Sequence, residues 1–102
     1  MNKETMKGIM IESIQSQARS SVMKYRNNNL ISAAAYFQGC AILGQNANKM
    51  FNIQPEDKEF YIGILRAACR CSGVDYEEYF QKMCDAAYSG IIYDNYESRR
   101  LA

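Results

Sequence analysis

The sequence predicts an all-α bundle of four main helices and a short C-terminal one. Three observations predict it. Apolar residues recur at three- and four-residue steps along most of the chain, the period of a helix with one buried face. Capping and stop signals divide those stretches into helix-sized pieces. No apolar/polar alternation runs longer than a few residues, so nothing reads as a strand.

The first helix runs from about Lys3 to Tyr25. Asn2 suits the N-cap and Glu4 the first-turn dipole. Ile11, Ile14, Ala18, Val22 and Tyr25 share one face, which Met6 and Met10 extend. Glu12, Gln15, Gln17 and Arg19 occupy the opposite one. Asn27-Asn28-Asn29 ends the helix, because asparagine tolerates the left-handed conformation and bonds to nearby backbone. Asn29 then serves as N-cap of the next helix.

The second helix, Leu30 to between Gln45 and Phe51, is apolar or small on nearly every side. One stripe is Ala33, Tyr36, Cys40, Leu43, Ala47 and Met50. A second is Leu30, Ala34, Phe37, Ala41 and Gly44. A third is Ile31, Ala35 and Ile42. A helix of this kind is expected to be central and covered on all sides. Its glycines and alanines allow neighbours to approach closely.

Gln54-Pro55-Glu56-Asp57 opens the third helix, with proline in the first helical position and acids in the first turn. Its apolar face is Phe60, Tyr61, Ile64, Leu65, Ala68 and Cys71, and Gly73 is its C′ residue. The fourth helix opens on Asp75 with Glu78 three residues on, a capping box. Val74 and Tyr79 form the accompanying hydrophobic staple. Tyr76, Phe80, Met83, Cys84 and Ala87 make its buried face, and Ser89-Gly90 ends it. A last short helix follows, capped by Asp94, with Arg99 and Arg100 near its end. The hairpin Tyr25–Ala41, with its asparagine turn and Tyr36-Phe37, resembles the helical hairpin of tetratricopeptide-type repeats. It covers less than a third of the chain, does not recur and lacks the Trp-Leu-Gly portion, so it implies no more than helix-on-helix packing.

The 102 residues make room for one domain, 1–102, with one core. At 48% hydrophobic and 23% charged the chain is an ordinary globular sequence. A core this small favours oligomerisation as a source of further stability. No apolar run reaches the roughly 20 residues of a membrane span. The N-terminus has no apolar leader, so the expected location is the cytoplasm. The four cysteines, Cys40, Cys69, Cys71 and Cys84, are expected to be reduced core residues. Cys69 and Cys71 lie about 200° apart on a helix, which disfavours zinc.

Chemistry is thin. There is no histidine, which removes the commonest general base and metal ligand. Neither Gly-rich phosphate loop motif occurs. Glu56, Asp57 and Glu59, like Glu77 and Glu78, sit in first turns, where carboxylates serve as caps. No enzyme, cofactor or metal is therefore expected.

The remaining candidates are binding residues. Residues 1–51 carry six Lys/Arg against two Glu, and 52–102 carry six against nine acids. Lys24, Tyr25 and Arg26 form a basic, aromatic hairpin tip suited to an acidic partner. With a pI near 7.6, nucleic acid is disfavoured, since specific binders carry a much stronger basic footprint. Arg66 and Arg70 lie one turn apart on the third helix, where two guanidinium groups can hold a carboxylate or phosphate. Eight tyrosines against four phenylalanines and no tryptophan is a tilted aromatic balance. Tyr93 and Tyr96 cluster with Ile91, Ile92, Arg99 and Arg100 in the C-terminal segment, and tyrosine and arginine are enriched at interfaces. That segment either packs back on the bundle or meets a partner. The expected function is non-catalytic protein interaction: a small self-associating inhibitor or adaptor, of the type that phages and mobile elements encode against host enzymes. The alternative is a binding protein for a small anionic ligand or nucleotide at a bundle or subunit interface.

Overall fold

The computed structural model describes residues 2–51 and 57–88. They form four helices and no strand: α1 (Lys3–Arg26), α2 (Leu30–Phe51), α3 (Asp57–Ser72) and α4 (Tyr76–Tyr88). The all-α bundle is as the periodicity requires. The Pro55 helix start and everything after Tyr88, including the Asp94-capped helix with Tyr93 and Tyr96, lie outside the described residues.

Local chemistry sets the boundaries. Asn2 Oδ1 accepts from Thr5 N at 2.8 Å and caps α1. At the other end Asn28 takes the left-handed conformation, φ 63°. The Asn28 N–H then donates to the Tyr25 carbonyl at 3.0 Å and the Asn29 N–H to the Lys24 carbonyl at 2.9 Å, a Schellman closure. Asn29 also caps α2, accepting from Ser32 N at 3.2 Å. The three asparagines therefore end one helix and begin the next. Gly73 (φ 68°) closes α3 in the same way, its N–H on the Arg70 carbonyl and that of Val74 on the Cys69 carbonyl. Asp75 Oδ2 accepts from Glu78 N at 3.0 Å. The Glu78 carboxylate reaches across to Tyr25 instead.

α2 packs against each of the other three helices, most extensively against α1. Ile14, Ala18 and Val22 of α1, Ala33, Cys40 and Ala47 of α2, Leu65 of α3, and Tyr79 and Met83 of α4 are fully buried together. Gly44 lets α3 approach: a Cβ there would sit 2.7 Å from the Tyr61 Cβ. Tyr79 is the hub of the aromatic packing. Tyr25 and Phe37 meet it edge to face, at 5.4 and 6.2 Å between centroids, and Phe37 meets Phe80 at 5.6 Å.

Three expectations need correction. α2 is not covered all round. On its third stripe Ile31 is 61% exposed and Ala35 exposed, and Ile42 is only half-buried. Met6 does not extend the buried face of α1; it is 40% exposed, and no residue before Ile14 is buried. Cys71 does not belong to the apolar face of α3 but is exposed, because two helical positions from buried Cys69 point it to solvent.

Candidate functional site

The hairpin tip and the start of α4 meet at one end of the bundle. The α1 C-terminus carries Lys24 and Arg26, both exposed, where cations complement the helix dipole. Tyr25 lies between them on the inward side. Its ring rests edge-on against Tyr79, and its hydroxyl donates to Glu78 Oε1 at 3.1 Å. Burial, then the hydrogen bond to the Glu78 carboxylate and that carboxylate's charge, raise the Tyr25 phenol above its ordinary pKa. Tyr25 is thus a strut between α1 and α4, half-buried and already bonded.

Beside it opens a cleft of about 400 Å³ lined by Tyr25, Arg26, Asn28, Leu30, Glu78 and Lys82. Two cations and one carboxylate face it, with the Tyr25 ring and Leu30 as apolar walls. The volume falls at the small end of ligand sites, which run from about 300 Å³. Of the residues singled out in the sequence, the cleft takes in Tyr25 and Arg26 but not Lys24. Glu78 and Lys82 come from α4, more than fifty residues along the chain. No periodicity or motif links them to the tip, so sequence reasoning did not find them.

Arg66 and Arg70 are exposed on α3, and neither lines the cleft. The Arg66 guanidinium sits 4.9 Å above the Tyr76 ring centroid, a cation–π contact. Burial pushes the Tyr76 phenol up to about 12, partly opposed by the Arg66 charge. Arg66 is therefore held by α4. Arg70 is in the last turn of α3 beside the helix C-terminus.

A second concavity lies toward the other end of α1. Met6, Ile9, Met10 and Ser13 form with Leu43 of α2 a largely apolar groove of about 310 Å³. Met6 and Ile9 are 40% and 48% exposed. The periodicity places Met6 and Met10 on the buried face and gives Ile9 no role; Met10 does pack against the core, and Met6 does not. The signal was present, since Ile9 falls off the Ile11–Ile14–Ala18 face, but an isolated exposed isoleucine is common.

The thiols divide by depth. Cys40 and Cys69 are buried, and desolvation raises them to about 12 and about 11. Cys71 is exposed and Cys84 half-buried. Among the described residues no group of three or more His, Cys, Asp or Glu is placed to hold a metal ion. Comparison with protein-family models, curated proteins and solved structures finds no match to this chain.

Proposed function

We propose that this protein is a non-catalytic, self-associating helical module that binds another protein as an inhibitor or adaptor in the cytoplasm. One observation carries the reading. Among the described residues the exposed large hydrophobics are Met6, Ile9, Met23, Leu30 and Ile31. All five belong to the α1–α2 hairpin, and none to α3 or α4. Apolar side chains scattered over a monomer need no explanation, whereas their segregation to one supersecondary unit marks a contact surface. The sequence agrees, since no charge interrupts the chain between Arg26 and Lys49. No helix among the described residues is long and apolar enough to cross a membrane. The absence of histidine and the protonated state of the buried thiols at neutral pH support a role in binding over catalysis.

Sedimentation velocity at tens of micromolar tests self-association, and native mass spectrometry of the same sample reads oligomer mass and bound ligand together. A strictly monomeric profile overturns it. The cleft at the hairpin tip favours a second reading, a site for a small anionic ligand or nucleotide gripped by Arg26 and Lys82. A co-purifying anion lost on Arg26→Ala would select that reading.

A further inference from the structure

The outer face of α1 has a pattern of its own. Met6, Ile9, Ser13, Ser16, Ser20 and Met23 recur at alternating three- and four-residue steps. This is the 3.5-residue repeat by which two helices pack along a shallow seam. All are exposed except Ser20, which is half-buried. The stripe lies opposite the core stripe Ile14, Ala18 and Ser21, so α1 carries two seams, and α2 and α3 fill only one. The stripe itself bears no charge. On one of its edges stand Glu12 and Arg19, both exposed, opposite in sign and two turns apart.

We infer that the occupant of this second seam is α1 of a second copy of the chain, running antiparallel about a two-fold axis. The inference rests on the self-association proposed above and names its surface. In such a pair equal edges meet, so each residue faces one at the mirrored position of the partner helix. The register that seats Met23 of one copy against Met6 in the groove of the other centres the axis between Ile14 and Gln15. Glu12 of each copy then falls two residues, about 3 Å along the axis, from Arg19 of the other. Both long side chains span that offset, giving two reciprocal ion pairs. In a parallel two-fold pair opposite edges would meet instead, and Glu12 would not face Arg19. The three central serines allow the backbones to approach, and the methionines and Ile9 supply apolar contact at the ends. An unrelated acidic or basic partner would find a neutral stripe; a second copy finds its own charges answered.

The test is sedimentation equilibrium of the full chain at low salt, as wild type, as Glu12→Arg, as Arg19→Glu, and as a 1:1 mixture of the two variants. Both positions are exposed, and far-ultraviolet spectra should be unchanged. Each variant alone sets like charges at two places in the dimer and should associate at least about tenfold more weakly. The mixture restores both pairs and should recover wild-type association as a heterodimer. Wild-type association that survives both substitutions, or a mixture no better than its components, would overturn the seam while leaving self-association standing. Loss of association on truncation after Gly90 would also overturn it, moving the interface to the C-terminal segment. A monomeric wild type would remove both readings.

Discussion

Ser21 is fully buried, and its bonding predicts an asymmetric response to mutation. A serine hydroxyl has a single proton. It lies 2.7 Å from the Ala33 carbonyl oxygen, which can only accept. Ser21 therefore donates to Ala33, and in the 2.6 Å contact with Tyr79 the phenol must be the donor. The chain Tyr79 to Ser21 to Ala33 ties α4 to α1 and α1 to α2, with every proton assigned. Tyr79→Phe keeps the ring against Tyr25 and Phe37 and leaves Ser21 its bond to Ala33. The cost is one net hydrogen bond, about 0.5–1.5 kcal/mol. Ser21→Ala strands the phenol of a tyrosine that is 0% exposed, so a desolvation penalty of about 1–3 kcal/mol applies. The Ala33 carbonyl suffers less, since the α2 ladder also uses it. The double variant has no stranded hydroxyl and should cost no more than Ser21→Ala alone. Urea denaturation followed by circular dichroism gives the three values. If the two single costs simply add, within about 0.3–0.5 kcal/mol, the proton assignment is wrong.

Glycines give a paired test. Gly44→Ala drives a Cβ to 2.7 Å from the Tyr61 Cβ, which is too near the backbone to swing aside, and should destabilise by about 1–3 kcal/mol. Gly8→Ala meets nothing within 4 Å in mid-helix and should stabilise by about 0.5–1 kcal/mol; thermal melts check both. Thiol labelling of the native protein with peptide mapping should modify Cys71 first and spare Cys40 and Cys69 until unfolding. Stability should also fall at alkaline pH. Cys40 titrates near 9 when unfolded and at about 12 when folded, so above pH 9 the unfolded chain binds fewer protons and gains. Its contribution is full below pH 9 and is lost as pH rises toward 12, and Cys40→Ala should flatten that decline in urea titrations across the range.

The helix boundaries at Asn2, at Asn28-Asn29 and at Gly73 to Asp75 were legible because each is set within a few residues. Asn2, Asn28, Asn29, Gly73 and Asp75 cap or terminate through their own side chains or their own φ, so a short window of sequence contains the whole cause. The buried face of α1 was legible from Ile14 to Tyr25 for a similar reason, since period alone assigns it. Met6 escaped this logic. Spacing says which residues share a face, but what covers that face depends on where α2 and α3 lie, and their cover thins from Ile14 through half-buried Met10 to exposed Met6. The same limit explains α2. Its first two stripes supply the buried Ala33, Ala34, Cys40, Ala41 and Ala47, yet an apolar circumference says only that the whole helix is fit for burial. It does not say how many partners one chain supplies.

Ser21 shows the limit from the other side. Adjacent to Val22 and to Ser20, it reads as an ordinary polar position, and its partner Tyr79 reads as a staple. Only the fold reveals that the two meet, with Ala33, at the junction of three helices. The tip residues follow the same rule. Tyr25 looked available for a partner because nothing nearby in sequence claimed its hydroxyl, and the claimant, Glu78, arrives with α4. Once Tyr25 is bonded to Glu78 and Arg66 is set on Tyr76, two of the residues that looked free are engaged within the bundle. The uncommitted surface then shifts to the α1–α2 hairpin, where Met6, Ile9, Met23 and Ile31 remain exposed. A helix that is apolar all round has a face open to solvent wherever nothing covers it, and among the described residues Ile31 and Ala35 are exposed. The same argument from periodicity that placed α2 at the centre of one bundle therefore also motivates the self-association proposed above.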